Sequence, residues 1–322
     1  MTLFNAQTTG DEVVEAFASS VAGKTILITG PSEHGLGAQT ALSLAVGKPR
    51  RLILVGRSLT KIQPVIDEIN SISPSTEVIF EELDLTNLSS VKKAAKGING
   101  KIEKLDILVN NAGVMAVKDY EKSVDGIEMQ FAANHIGHFL LTNLLMDKIF
   151  AAEGARVVNV SSGGYVSSGI RFEDWNFKDG KEYNPWLGYG QSKTANILFA
   201  SALAEKLKGK GVLAFSVDPG LVVDTKLQTH VTPEMFGEGY EIAVAAMNGE
   251  PLHPLDPKTL AQGASTTLYA ALAPELKEHS GAFLQNCADS TETLLSHAKG
   301  ASNRDQLWAL SEKLVGEIFA YA

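Results

Sequence analysis

Residues 25–46 read TILITGPSEHGLGAQTALSLAV. The first five are apolar or β-branched and predict a short buried strand, and residues 38–46 predict a helix. The segment between them contains Gly30, Gly35 and Gly37, which permit a tight turn and a close approach of the backbone to a ligand. The helix N-terminus behind the turn would offer free N–H groups to a phosphate. This stretch therefore predicts a pyrophosphate-binding strand–turn–helix unit, with an ordinary turn as the alternative.

A second buried strand is predicted at Arg51–Val55, and it ends about 20 residues beyond the glycine turn. An NAD-binding fold would place an acidic residue there, on the ribose 2′-hydroxyl. This chain has Arg57 instead, with Ser58 beside it and Lys61 one helical turn later. A guanidinium suits a 2′-phosphate in charge and in fork geometry. The position therefore favours NADP(H) over NAD(H), and a solvated loop arginine is the alternative.

The rest of the chain alternates between predicted strands and helices. The further strands are Glu77–Leu85, Leu105–Val109, Ala155–Val160 and Val212–Val217, and the further helices are Thr60–Ile72, Ser89–Ile98, Glu128–Phe150 and one opened by Tyr189. Buried, non-alternating strands between helices are typical of a parallel sheet covered on both faces. We therefore predict an α/β fold with a doubly wound parallel sheet, which binds ligands beyond the carboxyl ends of its strands.

A single domain over residues 23–322 is predicted, preceded by an N-terminal extension, residues 1–22, with a short helix at 11–21. Residues 221–256 are rich in Gly and Pro and predict a mobile substrate-covering lobe after the sixth strand, or else a pair of surface loops. The chain would end with a helix over Pro257–Leu272, a strand over Gly281–Gln285 and a helix over Asn303–Phe319.

Residues 189–193 read YGQSK and predict the start of a helix. Tyr189 and Lys193 are about one turn apart and share a helix face. A nearby ammonium favours phenolate, so we expect the pKa of Tyr189 to fall below its ordinary value of about 10. Such a phenol could exchange protons near neutral pH. A solvated pair on the helix surface is the alternative.

The composition excludes several classes of partner. The formal net charge of −9 and the pI of about 5.3 argue against nucleic acid and anionic membrane surfaces. Cys287 is the lone cysteine, which excludes an intramolecular disulfide and a cysteine zinc cluster. No apolar run approaches the roughly 18 residues of a membrane span, and the N-terminus does not resemble a signal peptide. We expect a cytoplasmic protein without a metal, with Cys287 buried near a strand end.

Taken together, these motifs resemble the short-chain dehydrogenase/reductase family over roughly residues 22–290. The matching segments are TGPSEHGLG at 29–37, LDL around Asp84, NNAG at 110–113, Asn134, VNVSS ending at Ser162, YGQSK at 189–193 and DPG at 218–220. The stretch SGIRFEDWNFKDGKEYNPWLGYGQSKTANILF resembles the retinol-dehydrogenase and WW-domain-oxidoreductase-like branch, especially its soluble fungal members. The resemblance implies a Rossmann fold.

The resemblance also implies roles for particular residues. Tyr189 would be the acid/base, Lys193 would lower its pKa and bond the nicotinamide ribose, and Asn134 would hold a relay water. Ser162 would bond the substrate oxygen, with Ser161 as the alternative. The implied cofactor contacts, together with Arg57, Tyr189 and Lys193, are Gly30, Ser32, Gly35, Leu36, Gly37, Asp84, Leu85, Asn111, Ala112, Gly113, Pro219, Gly220, Val222 and Thr225.

Three features depart from the family pattern. The glycine turn carries one residue more than usual between its first two glycines, which affects Ser32, Glu33 and His34. The Ser162–Tyr189 interval is long, a feature shared with the retinol-dehydrogenase-like branch. Asp218 stands where that branch often has His.

The function implied is that of a carbonyl reductase or alcohol dehydrogenase acting on an apolar ketone, aldehyde or secondary alcohol. Aromatic residues in the second part of the Ser162–Tyr189 interval would form a pocket wall or else pack the insertion onto the core; they are Phe172, Trp175, Phe177, Tyr183 and Trp186. The rival functions are a non-catalytic NADP(H) sensor on the same fold and an NAD-linked epimerase or dehydratase. The family's dimer face implies a homodimer or homotetramer through the helices around Asn134 and Tyr189.

Overall fold

The structure, a computed structural model, describes residues 4–251 and 256–321. Its sheet has eight strands among these residues, in the order β3-β2-β1-β4-β5-β6-β7-β8. The strands are β1 Thr25–Thr29, β2 Arg51–Gly56, β3 Glu77–Glu82, β4 Ile107–Asn110, β5 Ala155–Val160, β6 Val212–Asp218, β7 Phe283–Gln285 and β8 Ala288–Asp289. Strands β1 to β7 run parallel, and β8 is antiparallel to β7. The predicted doubly wound parallel sheet is confirmed.

Twelve helices surround the sheet in the described part of the chain. They are α1 Gly10–Ala16, α2 Ala18–Val21, α3 Leu36–Val46, α4 Leu59–Ile72, α5 Leu88–Asn99, α6 Met129–Phe131, α7 Gly137–Leu144, α8 Met146–Phe150, α9 Pro185–Lys206, α10 Pro233–Ala246, α11 Leu260–Leu272 and α12 Ala301–Val315. A π-helical turn, Ala132–Ile136, joins α6 to α7. Helices α5, α7, α9 and α12 cover one face of the sheet, and α1, α3, α4 and α11 cover the other.

Both faces of the sheet are apolar. Successive strand residues point to opposite sides, and the residues on both sides are hydrophobic. In β1, Leu27 belongs to the core under α5, α7 and α9, whereas Ile26 and Ile28 belong to the core under α3 and α11. Burial on both sides explains why the strands do not alternate in polarity. Arg156 of β5 is an exception, and its guanidinium donates hydrogen bonds to the carbonyl oxygens of Ala270 and Ala273 at the end of α11.

Several element boundaries differ from the prediction. The N-terminal helix is divided at Phe17 into α1 and α2. Strand β3 stops at Glu82 and not at Leu85, and the predicted helix 128–150 is interrupted by the π turn and again at Leu145. The last helix ends at Val315, because Gly316 takes the left-handed conformation that closes a helix.

The helix that carries Tyr189 starts four residues earlier than predicted. Asn184 caps α9 by accepting hydrogen bonds from the N–H groups of Trp186 and Leu187, and Pro185 occupies the first helical position. Tyr189 therefore lies in the second turn of α9, and the prediction that it opens the helix is wrong.

The predicted lobe after β6 contains α10 and a short 3-10 turn, Lys226–Gln228. Positions 252–255 of the predicted lobe lie outside the described residues. Cys287 is buried, as expected, two residues after the end of β7. Within the described residues, no helix combines the length and apolarity needed to cross a membrane.

Candidate active site

The parallel strands bring the predicted site residues to one edge of the sheet. Strands β1, β4, β5 and β6 are consecutive neighbours, so the segments that follow them meet at their carboxyl ends. These segments contain Gly30 after β1, Asn111 after β4, Ser162 after β5 and Pro219 after β6. Helix α9 packs beside β5 and β6 and brings Tyr189 and Lys193 to the same edge.

Tyr189 is buried, with 4% of its surface exposed, and its phenol is hydrogen-bonded to the side chain of Ser162. Ser162 follows β5 and also accepts a hydrogen bond from the N–H of Gly164, over 3.1 Å. A β-carbon at Gly164 would lie 2.7 Å from Cε1 of Tyr189, so the turn after Ser162 passes directly against the ring. The structure thus brings together the two groups that the resemblance places on the substrate oxygen.

Ser161 is excluded as the alternative to Ser162 by its orientation. Its hydroxyl is buried and donates a hydrogen bond to the backbone carbonyl of Lys193 over 2.8 Å. The side chain therefore ties β5 to α9 and does not face Tyr189.

Lys193 lies one turn beyond Tyr189 and is equally buried. Its Nζ is 5.6 Å from the centroid of the Tyr189 ring and donates a hydrogen bond to the carbonyl oxygen of Val160 over 3.1 Å. A solvated pair, the alternative drawn from the sequence, is therefore wrong for these two residues.

Burial controls the ionisation of both groups. It raises the pKa of Tyr189 to about 12; the hydrogen bond with Ser162 acts in the opposite direction, and the charge of Asp218 adds to the rise. Burial also lowers the pKa of Lys193 to about 8, against the influence of Asp218. The expected lowering of the Tyr189 pKa is wrong for this structure, because desolvation of the phenolate outweighs the hydrogen bond with Ser162.

Asn134 lies in the π turn before α7, and its side chain is fully engaged. Its Oδ1 accepts from the N–H of Val114, and its Nδ2 donates to the carbonyl of Val114 and to Oγ of Ser192. Asn134 thus fastens the loop after β4 to α9 beside Lys193. The implied relay water stays a prediction.

The glycine turn has the close approaches that the sequence predicted. A β-carbon on Gly37 would lie 2.5 Å from Nδ2 of Asn111, and one on Gly30 would lie 2.8 Å from Cβ of Ala112. The extra residue is absorbed by a turn in which Gly35 N–H bonds the Ser32 carbonyl and His34 takes a positive φ of 61°. The sequence assigns no role to His34.

The residues of this turn fit a dinucleotide pyrophosphate. Helix α3 begins at Leu36 after Gly35, and no side chain caps its first turn. Its first N–H groups are therefore available to an anion at the positive end of the helix dipole. The predicted contacts Gly30, Ser32, Gly35, Leu36 and Gly37 all belong to this turn.

Thr29 is a site residue that the sequence analysis did not single out. Its Oγ1 accepts hydrogen bonds from the N–H groups of Asn111 and Ala112, each over 2.9 Å, and Asn111 Nδ2 bonds the Thr29 carbonyl. A β-carbon at Gly113 would lie 3.5 Å from Lys193 Nζ. The segment 111–113 therefore connects the glycine turn to Lys193. The sequence indicates this role only through the position of Thr29 directly before Gly30.

The groups expected around the adenosine end follow β2 and β3. Arg57 is exposed directly after β2, and the carbonyl of Val55 in β2 accepts a hydrogen bond from Gly30 N–H. Asp84 follows β3, and its Oδ1 accepts hydrogen bonds from the N–H and hydroxyl of Thr86. The carbonyl of Leu85 would meet a β-carbon at Gly137 at 2.4 Å, so Leu85 is held against the start of α7.

The turn after β6 is organised by the buried carboxylate of Asp218. Its Oδ1 accepts from the N–H of Gly220, and its Oδ2 accepts from Nε2 of Gln285. Pro219, which lies between Asp218 and Gly220 in the sequence, is buried. Thr225 directly precedes the short 3-10 turn of the lobe. Val222 approaches the glycine turn, because a β-carbon at Gly263 would meet both Val222 Cγ2, at 2.5 Å, and Leu36 Cδ2, at 2.8 Å.

An apolar wall covers the Tyr189 ring. Met115, Ala116 and Trp186 form a buried cluster with Tyr189, against which Val231, Met235 and Ile242 of the lobe pack. Trp186 Nε1 donates to the carbonyl of Met235 over 2.7 Å, and His230 Nε2 lies 2.9 Å from the carbonyl of Met115. The lobe therefore contacts both Trp186 and the loop after β4. The sequence did not indicate the His230 contact.

The five aromatic residues considered for the pocket wall divide between the two roles. Trp186 contributes to the apolar wall, with its ring centroid 6.3 Å from that of Tyr189. Phe172 and Trp175 pack on the main core, and Phe177 is fully buried against Tyr183. Tyr183 in turn donates to the carbonyl of Val117, which fixes the loop after β4.

Comparison with known proteins agrees with this geometry. The family model for short chain dehydrogenases matches residues 24–173. Retinol dehydrogenase 12 of Mus musculus is 35% identical over 92% of this chain and 87% of its own length, and retinol dehydrogenase 13 of Homo sapiens is 36% identical over 92% and 86%. The crystal structure of an uncharacterized protein from Mycobacterium paratuberculosis superposes with a TM-score of 0.69 at 34% identity, covering 93% of this chain and 96% of that one.

The chain belongs to the short-chain dehydrogenase/reductase family, in its retinol-dehydrogenase branch. It is therefore an oxidoreductase of the hydride-transfer class, whose cofactor is a nicotinamide dinucleotide and whose substrate is a small molecule.

Proposed function

We propose that this chain is an NADP(H)-dependent carbonyl reductase or alcohol dehydrogenase that acts on apolar ketones, aldehydes or the corresponding alcohols. The hydrogen-bonded pair of Ser162 and Tyr189, with Lys193 one turn away, carries this proposal. When bound, the nicotinamide supplies or accepts the hydride. The chain itself has to hold the substrate oxygen and move one proton.

The protonation states support reduction at neutral pH. Burial holds the pKa of Tyr189 at about 12, so the phenol keeps its proton and can deliver it to the oxygen of a carbonyl substrate. Ser162 accepts from Gly164 N–H, which leaves its own proton for a second hydrogen bond in the site. Acid/base help of this kind is typically worth about 10²- to 10⁴-fold in rate.

The preference for NADP(H) rests on Arg57. Its exposed guanidinium follows β2, next to the turn that would hold the pyrophosphate, and Lys61 adds a second exposed cation in the first turn of α4. A planar fork of donors matches the 2′-phosphate that distinguishes NADP from NAD.

The proposed substrate class follows from the apolar wall. Met115 and Trp186, with Met235 of the lobe, present apolar surface beside the Tyr189 phenol. An apolar wall with few polar groups selects substrates that bury hydrocarbon next to one reactive oxygen. Retinol, named for the relatives, is an alcohol of this kind.

We further propose a cytoplasmic protein, since its single cysteine is a buried free thiol. Self-association as a homodimer or homotetramer would use a surface other than the faces of α7 and α9. Helix α12 packs on those faces through Leu307, Trp308 and Ser311. Light scattering of the purified protein measures the assembly directly, and cell fractionation measures the location.

The test is NADPH oxidation against a panel of apolar ketones and aldehydes, with NADH in parallel. Tyr189→Phe should keep NADPH binding and lose most turnover, because only the phenolic oxygen is removed. Tyr165→Phe is the matched control, since Tyr165 is also buried but packs on Phe283 away from the nucleotide turn. Undiminished turnover in Tyr189→Phe would refute the acid/base assignment. NADPH binding without turnover of any compound would favour the non-catalytic sensor.

A further inference from the structure

We propose that His138 is a positioning residue that joins the glycine turn to Asn134. His138 lies in α7, one turn after Asn134, and is 1% exposed. This inference rests on the proposed function, because it assigns a role within the same site.

Both ring nitrogens of His138 are hydrogen-bonded to opposite parts of the site. Nδ1 lies 3.0 Å from the backbone carbonyl oxygen of Asn134, and Nε2 lies 2.8 Å from Oγ1 of Thr29. Thr29 holds the N–H groups of Asn111 and Ala112. A single ring therefore spans from the π turn beside α9 to the segment that contacts Gly30.

The hydrogen-bond partners permit one tautomer. The Asn134 carbonyl can only accept, so Nδ1 must carry a proton. The Thr29 hydroxyl already accepts two N–H groups, so its lone pairs are occupied and its proton must be donated. The nearer acceptor is His138 Nε2, at 2.8 Å, and not the carbonyl of Val109, at 3.5 Å. Nε2 is therefore unprotonated, and the ring is neutral.

The surroundings keep the ring in this neutral state. Burial lowers the pKa of His138 to about 4; the hydrogen bond with Asn134 opposes this effect, and the positive charge of Lys193 reinforces it. A second proton on Nε2 would point at an oxygen that has no free lone pair. His135, in the π turn before α7, is also buried and neutral, because burial lowers its pKa to about 3.

Each contact has a separate consequence. The Nδ1 bond holds the backbone of Asn134, whose side chain fastens Val114 and Ser192 beside Tyr189 and so affects turnover. The Nε2 bond fixes the Thr29 hydroxyl, which orients the backbone next to the nucleotide and so affects cofactor affinity. Losing one bond should therefore change one property and leave the other.

Two substitutions separate the contacts, because an Asn amide can occupy the place of Nδ1 and a Gln amide the place of Nε2. His138→Asn should keep turnover and weaken NADPH binding about tenfold, and His138→Gln should keep NADPH binding and reduce turnover about tenfold. His135→Asn and His135→Gln are the matched controls. His135 is buried on the same helix run but bonds Ser311, and the controls should change thermal stability alone.

The dissociation constant of NADPH is measured by fluorescence without turnover, and kcat is measured with the best carbonyl substrate. Opposite patterns in the two His138 variants support the proposal. Equal changes in both, or the pattern of the His135 controls, would overturn it. Failure of the proposed function would instead appear as absent turnover in the unmodified protein, with the NADPH affinities still separating the variants.

The tautomer can be measured on the unmodified protein, so the proposal does not depend on the folding of a variant. A nitrogen-15 NMR correlation spectrum distinguishes protonated from unprotonated ring nitrogens. A His138 signal with a protonated Nδ1 and a bare Nε2 between pH 5.5 and 8 is expected. The other tautomer, or an imidazolium in this range, would refute the arrangement.

Discussion

The ammonium nitrogen of Lys193 donates a hydrogen bond to the carbonyl oxygen of Val160, over 3.1 Å. This bond joins α9 to the end of β5 two residues before Ser162, so the spacing between the lysine, the serine and Tyr189 is set by the backbone. A buried ammonium held in this way loses most of its hydration, and burial lowers the pKa of Lys193 to about 8.

Replacing Lys193 by Met should reduce kcat/KM for carbonyl reduction by about 10²- to 10⁴-fold, the usual range for loss of acid/base assistance. Met keeps the apolar stem and removes the charge. Steady-state kinetics with NADPH give the effect. Lys206→Met is the control, because Lys206 lies at the other end of α9 over the ring of Trp308. A comparable loss in both proteins would show that the change acts through the helix and not through the site.

The charge of Asp218 should set the alkaline limit of activity. Asp218 raises the pKa of Lys193 and of Tyr189, so removing the charge should lower both values. Reduction requires the Lys193 ammonium, and its loss would then begin at lower pH. In Asp218→Asn the alkaline limb of the kcat/KM profile should therefore move to lower pH, by roughly one unit or less.

Asparagine is the suitable replacement because its Oδ1 can still accept from Gly220 N–H, and its Nδ2 can donate to the Gln285 oxygen once that amide turns over. Asp84→Asn, a substitution in the segment after β3, should leave the alkaline limb in place. A shift to higher pH in Asp218→Asn would contradict the electrostatic role.

Arg57 should determine cofactor choice. Arg57→Ala removes the guanidinium proposed to meet the 2′-phosphate, so the KM for NADPH should rise about 10- to 100-fold while that for NADH changes little. Parallel titrations of the two cofactors provide the ratio. Arg50→Ala tests the opposite end of β2, where an exposed arginine lies far from the glycine turn. Equal effects on NADPH and NADH would remove the argument for NADP.

Two glycines of α10 provide a matched test of the lobe. A β-carbon at Gly239 would lie 2.6 Å from Cε2 of Trp186, whereas one at Gly237 would have nothing within 4 Å. Gly239→Ala should push the lobe off the apolar wall and raise the KM for an apolar carbonyl compound about tenfold, an effect of roughly 1.4 kcal/mol. NADPH affinity should not change.

Gly237→Ala should leave the KM unaltered. Both substitutions gain about 1 kcal/mol of helix propensity, so a difference between them reports the contact with Trp186. Identical kinetics in the two variants would show that Gly239 does not control the position of the lobe.

The sequence predicts the elements whose structure depends on local composition. The bounds of β1 and β5 are as predicted, because Thr25–Thr29 and Ala155–Val160 are continuous buried runs that end at glycine or serine. The start of α9 was also present in the sequence, since Asn184 followed by Pro185 is a strong helix start. The prediction instead placed the start of this helix at Tyr189, the first residue of the YGQSK segment.

Other features depend on contacts between distant segments. The π turn at Asn134 has the same apolar pattern as an α-helix, and the Asn134 side chain bonds Val114, which is 20 residues earlier in the chain. The rise in the Tyr189 pKa comes from burial beneath the lobe, which no local pattern predicts. The bond between Thr29 and His138 joins residues 109 positions apart.

His135, the neighbour of Asn134, obtains its hydroxyl partner from Ser311 in α12, which is translated 176 residues later. At 5–20 residues per second, a ribosome needs roughly 10 to 35 seconds to make that interval. Until then the aromatic surface of Phe139 and Phe199 lacks the Trp308 ring that covers it. The nascent chain thus exposes an apolar, aggregation-prone surface on α7 and α9. This surface needs protection from aggregation until α12 is synthesised.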